Sequence, residues 1–120
     1  MKILLVEDTA EKRVRIKRAF RNKEAIFSQA KTLVEAKEIL EENTDFDLII
    51  TDMYFPNESG ELELKDAGEQ LIHFASLKNL SIPIIICSRQ RYRIEEKNVL
   101  GSVHFRESTN LEREFNRLLS

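Results

Sequence analysis

The stretch that most constrains this chain is Asp47 to Pro56, Asp-Leu-Ile-Ile-Thr-Asp-Met-Tyr-Phe-Pro. Leu48, Ile49 and Ile50 form an unbroken apolar run too short for a confident helix, and a strand apolar on both faces belongs inside a parallel sheet. The run ends at Asp52, so a carboxylate is delivered to the strand's carboxyl end, where open α/β sheets place their ligands. Pro56 then forces a turn.

The rest of the chain alternates in the same manner. Lys2–Val6 reads as a strand, and Thr9 as the N-cap of a helix over 10–20 with Val14, Ile16, Ala19 and Phe20 apolar. Ala25–Ser28 reads as a weak strand. Thr32-Leu-Val-Glu35 is a capping box opening a helix to about Glu42, with Leu33, Ala36, Ile39 and Leu40 on one face. A third helix is expected from Asp66–Gly68 onward, and a fourth strand over Ile82–Cys87, with its Pro near the start. The remainder predicts a short polar helix from Arg91 to Leu100, a weak strand over Val103–Phe105, and a last helix behind a second capping box, Thr109 to Glu112. Five strands alternating with five helices imply right-handed crossovers. The expected architecture is one α/β domain over residues 1–120, a flavodoxin-like (βα)5 three-layer sandwich with parallel strand order 2-1-3-4-5.

Composition removes several alternatives. A chain of 120 residues suffices for one core without staples, and 19 basic against 21 acidic residues give no global pull toward nucleic acid. The single Cys87 lies in an apolar run and reads as a small buried hydrophobe of a reducing compartment, so the cytoplasm is the expected location. Met1–Val6 is followed at once by Glu7 and Asp8 and lacks the length of a signal peptide, and no run reaches the length of a membrane helix.

In the expected strand order the first and third strands are neighbours, so Glu7, Asp8 and Asp52 converge on one crevice. Three carboxylates there repel one another unless a cation shares the site, and Mg²⁺ suits hard oxygen ligands that leave room for water and phosphate. Ser88, ending the fourth strand, adds a hydroxyl.

On these residues, the acidic pair Glu7-Asp8, the Asp47–Pro56 stretch, Gly68 and Ser88, the chain resembles the response-regulator receiver family from Lys2 to Leu119. The resemblance implies that Asp52 accepts a phosphoryl group from a phosphohistidine on a partner kinase. It also implies that Asp8 binds Mg²⁺ directly, Glu7 through water, and Tyr54 through its main-chain carbonyl, with Ser88 as the switch hydroxyl. A sensor histidine kinase or phosphotransfer protein is then the expected partner. The basic stripe Lys12, Arg13, Arg15, Lys17, Arg18, Arg21 and Lys23 on the first helix is its expected docking face, with no direct contact to nucleic acid or membrane.

The chain departs from that family in two places. The lysine that follows the family's last strand is missing from Phe105-Arg-Glu-Ser-Thr-Asn110, which leaves Arg106 as the candidate substitute, with Arg89 and Arg91 also within reach. An acidic insertion, Asn57 to Ala67, reads as a mobile, dispensable surface loop. With no output domain after Ser120, the expectation is a stand-alone receiver that signals to a downstream protein by contact and catalyses only its own phosphorylation and dephosphorylation. The alternative is a pseudo-receiver, a phosphorylation-independent interaction module. A haloacid-dehalogenase-type phosphatase would need a carboxylate where Tyr54 stands.

Overall fold

Alternation along β1 (Lys2–Val6) sorts the core into two layers. Ile3 and Leu5 point to one side of the sheet and Leu4 and Val6 to the other, all fully buried. The computed structural model describes residues 1–120. Its five-stranded parallel sheet runs β2 (Ile26–Ala30), β1, β3 (Leu48–Thr51), β6 (Ile84–Ser88), β7 (Val99–His104). This is the anticipated 2-1-3-4-5 order, with a small hairpin added between the third and fourth strands of the main sheet.

Helices α2 (Leu33–Glu42) and α3 (Ala67–Leu77) cover Leu4, Val6, Ile49, Ile84 and Ile86. On the other face, α1 (Ala10–Ala19) and α4 (Leu111–Leu119) cover Ile3, Leu5, Ile50, Ile85 and Cys87. Cys87 is a free, buried thiol, as its place in the apolar run indicated.

Helix α1 is inward-facing at Lys12, Ile16 and Ala19 and is followed by the buried cap Phe20, whereas Val14, one of its apolar positions, is 54% exposed. A stripe that begins at residue 12 and recurs at 16, 19 and 20 has the helical period, and its first member is a lysine.

No helix forms over 91–100. The ten residues 89–98 must return from the carboxyl end of β6 to the amino end of β7, where Ile84 pairs with Val99. That return spans roughly 16 Å at strand rise, about the whole length of a ten-residue helix, so nothing is left for the two turns. The segment runs without regular secondary structure, ends in a turn at 97–98, and packs Tyr92 and Ile94 against the α2–α3 layer. The last strand consequently starts at Val99 instead of Val103, with a register shift that bulges out Leu100.

Three caps also differ from expectation. Thr32 caps α2 through its Oγ1, which accepts from Glu35 N–H at 3.1 Å, but Glu35 reaches back to the Lys31 amide instead of to Thr32 N–H. For α4 the cap is Asn110, whose Oδ1 accepts from Arg113 N–H at 3.1 Å. Thr109 instead closes the preceding turn: its hydroxyl donates to His104 O and accepts from Arg106 N–H. At α1, Thr9 holds the N-cap position without a side-chain bond.

The insertion after Pro56 is not a loose loop. It forms an antiparallel hairpin of β4 (Phe55–Pro56) and β5 (Glu63–Leu64), turning through Gly60 at φ +86°. Asn57 O accepts from Val34 N–H at 3.0 Å, tying the hairpin to α2, and Leu64 packs against the core. Leu64→Ala is therefore expected to cost about 1–2 kcal/mol, below the range of a fully buried leucine. Leu62→Ala, at a side chain 90% exposed, should leave the urea midpoint unchanged. Equal midpoints for the two variants would return the hairpin to the status of a dispensable loop.

Candidate functional site

Asp52 leaves β3 at the expected end. Its N–H donates to Val6 O at 2.9 Å, which holds it beside β1, and its Oδ1 accepts from Met53 N–H at 2.8 Å. Gly68 permits this loop to lie against α3: its N–H donates to Met53 O at 3.0 Å. A Cβ at that position would lie 2.7 Å from Asp52 O and 2.8 Å from Met53 Cα.

Glu7, Asp8 and Asp52 come together as anticipated, each offering a carboxylate oxygen within 4.8 Å of the others. Glu7 is only 1% exposed and its Oε2 accepts from Thr9 N–H at 3.0 Å. Burial pushes the Glu7 carboxyl above the ordinary carboxylate value, an effect the adjacent Lys12 ammonium offsets only in part.

Ser88 ends β6 nearly buried, with its Oγ accepting from Gln90 N–H at 3.2 Å. Ser88, Tyr54, Glu7 and Asp52 all line one crevice of about 190 Å³. The hairpin adds a carboxylate that sequence reasoning did not place there. Glu63 lines the same crevice, and its carboxyl is pushed upward by burial and then by the charges of Asp8 and Asp52. Nothing in the insertion's composition distinguished Glu63 from Glu58 or Glu61; the Pro56–Glu63 pairing selects it.

The buried cation of the crevice is Lys12, and Arg106 does not line it. Lys12 is 1% exposed, and its Nζ donates to Cys87 O at 2.6 Å and lies 3.2 Å from Asp52 Oδ1. Glu7 Oε1 is 2.8 Å from Nζ, at ion-pair distance but without hydrogen-bond alignment, so this buried oxygen keeps no hydrogen-bond donor of its own. Burial pulls the Lys12 pKa down, yet the charges of Glu7 and Asp52 outweigh it, and the net shift is upward. Arg106 is exposed: its N–H binds Thr109 Oγ1, and its carbonyl accepts from Arg15. Arg89 lines the crevice, while Arg91 is exposed and does not.

The basic stripe on α1 is correspondingly thinner than its sequence suggests. Arg13 donates to Glu7 O, and Arg15 donates to Arg106 O and Thr109 O while its Cζ sits 4.5 Å above the Phe105 ring. With Lys12 buried and Arg13, Arg15, Lys17 and Lys23 half-buried, Arg18 and Arg21 remain as the exposed cations of the stripe.

The donor set suits a divalent hard cation. Three carboxylates against one ammonium leave two net negative charges, and Glu7 Oε1 is a buried oxygen without a hydrogen-bond donor. Oxygen-only ligands in such number match Mg²⁺.

No family model matches this sequence. No curated protein matches it either. Its fold, however, is shared with solved structures. The receiver domain of the hybrid histidine kinase CckA superposes with a TM-score of 0.71 at 24% identity, covering 99% of this chain and 96% of that one. The response regulator TrrA from Thermotoga maritima, solved in complex with Mg²⁺ and BeF, gives 0.72 at 18% identity over 98% of this chain and 97% of that one. A Francisella response-regulator receiver domain gives 0.70 at 19% identity, over 98% and 93%. This chain has the receiver-domain fold.

Proposed function

We propose that this chain is a receiver module that accepts a phosphoryl group on Asp52 in an Mg²⁺-dependent reaction and passes the signal on by protein contact. The observation that carries the reading is the placement of Asp52. It stands at the switch point between β1 and β3, with Oδ1 held by Met53 N–H and Lys12 Nζ, next to two further carboxylates and the Ser88 hydroxyl. With Oδ1 so engaged, Oδ2 is the oxygen assigned to attack. It forms a bond to phosphorus as the bond from phosphorus to the donor nitrogen of a phosphohistidine breaks, and that nitrogen leaves with the electron pair.

Asp8 would bind Mg²⁺ directly, Glu7 through water, and Tyr54 through its main-chain carbonyl. When bound, Mg²⁺ supplies charge neutralisation for the phosphoryl oxygens in flight. The acyl phosphate brings about −1.5 to −2 charges beside Ser88, which gives its hydroxyl a new acceptor and draws the loop after β6 inward. The donor partner would be a sensor histidine kinase or phosphotransfer protein meeting α1, and the chemistry is limited to the module's own acyl phosphate.

Intact mass after incubation with acetyl phosphate and Mg²⁺ tests the reading. Wild type is expected to gain one phosphoryl group and Asp52→Asn none. Asp8→Asn is expected to abolish the heat of Mg²⁺ binding at millimolar concentration. A wild type that stays at its unmodified mass would leave the phosphorylation-independent interaction module in its place. Lys12 favours that second reading, because its ammonium already offsets part of the charge of Glu7 and Asp52 without a metal.

A further inference from the structure

The residue directly beyond β7 is Phe105, whose N–H donates to Ser88 O at 2.7 Å and whose side chain is 2% exposed. A buried aromatic thus occupies the strand end beside Ser88. Across from it stands Lys12, with Nζ 5.4 Å from the Phe105 ring centroid. The cation therefore enters the crevice from α1, over the aromatic. The apolar stripe of α1 carries the charge at residue 12, and the strand end carries the apolar group.

We propose that Lys12 is the resident cation of the crevice, contacting the phosphoryl group on Asp52 in place of a lysine beyond β7, and that Lys12 and Phe105 have exchanged roles across the site. The proposal rests on the phosphoacceptor reading for its phosphoryl contact, and on geometry alone for the charge balance. Lys12 Nζ is anchored on Cys87 O and lies 3.2 Å from Asp52 Oδ1. Once Asp52 is acylated, its carboxylate charge disappears, and the phosphoryl oxygens take its place as the anionic group that faces that ammonium beside Glu7. Lysine suits this duty as a compact point charge on a flexible stem. The anchor also matters for signalling: Cys87 precedes Ser88, so one ammonium links the phosphoryl group to the end of β6 where the switch hydroxyl sits.

The same ammonium opposes a divalent ion, because it stands beside two of the ligands with like charge. Removing it moves two readouts in opposite directions. In Lys12→Met, Mg²⁺ affinity measured by calorimetry on the unphosphorylated protein is expected to rise about tenfold, while the rate of acetyl-phosphate modification falls at least about tenfold, the size of a lost charge-assisted contact. In Lys12→Met/Phe105→Lys the charge returns from the opposite wall. Both readouts should move back toward wild type, with thermal melting recorded on each variant.

The outcomes separate the two readings. A folded Lys12→Met with wild-type Mg²⁺ affinity and wild-type modification overturns the Lys12 assignment and leaves the phosphoacceptor reading standing. Loss of Mg²⁺ binding and of modification together also overturns it, since Lys12 would then only hold the fold. A wild type that never gains mass, with Mg²⁺ affinity still rising in Lys12→Met, overturns the phosphoacceptor reading and the phosphoryl contact but supports the charge-balance role. Where Lys12→Met does not fold, the swap variant decides: modification near the wild-type rate supports the exchange, and a folded swap variant that takes no phosphoryl group overturns it.

Discussion

Taking the pH from about 9 to 12 is expected to remove roughly 4 kcal/mol of folding stability through Cys87 alone, because burial pushes its thiol from 9.0 up to about 12. The sign follows from which state keeps its proton. In that window the unfolded chain ionises its thiol while the folded chain holds a neutral one inside β6. The folded state therefore binds more protons, and stability falls as pH rises. Lys12 acts in the same direction. Burial lowers its pKa, but Glu7 and Asp52 outweigh burial and hold it above 10.5, so its contribution is present below that value and is lost as pH rises through the folded pKa. Urea midpoints at pH 8, 10 and 11 for wild type and Cys87→Ala check this. The wild-type midpoint should fall steeply and the variant's more gently, the remainder belonging to Lys12. Parallel slopes would mean that the thiol meets water in the folded state.

Gly68→Ala is expected to cost about 1–3 kcal/mol, the range for forcing a methyl group into a filled space. Its Cβ would meet Met53 Sδ at 2.5 Å, Asp52 O at 2.7 Å and Met53 Cα at 2.8 Å. The sulfur can swing aside, but the other two atoms belong to the main chain that carries the acceptor aspartate. Relief then requires Asp52 to move away from Glu7 and Asp8, so Mg²⁺ affinity should fall along with the melting temperature. Gly60 provides the contrast: nothing lies within 4 Å of a Cβ there, and substitution meets only the strain of φ +86°. A Gly68→Ala variant with wild-type melting and metal affinity would show that the loop after β3 is free to shift, which conflicts with its bonds to Val6 and Gly68.

The sequence by itself determined the sheet, the strand order and the convergence of Glu7, Asp8, Asp52 and Ser88. Buried parallel strands are written as short apolar runs, and a polar residue that ends such a run must stand at the strand's end whatever the loops do. Leu48–Ile50 and Ile84–Cys87 carry that signal without help from distant residues. Only the tertiary structure decided what closes the crevice. Lys12 reads as one of many basic residues on a helix, and its inward direction follows from the phase of α1 against Ile16 and Phe20. Its partners Cys87 and Asp52 lie 75 and 40 residues away in the chain, beyond the reach of any local pattern. The missing helix between β6 and β7 and the ordered hairpin that brings in Glu63 have the same origin. Each depends on a span between strand ends that exists only once the sheet is assembled, and that span leaves no mark in local propensity.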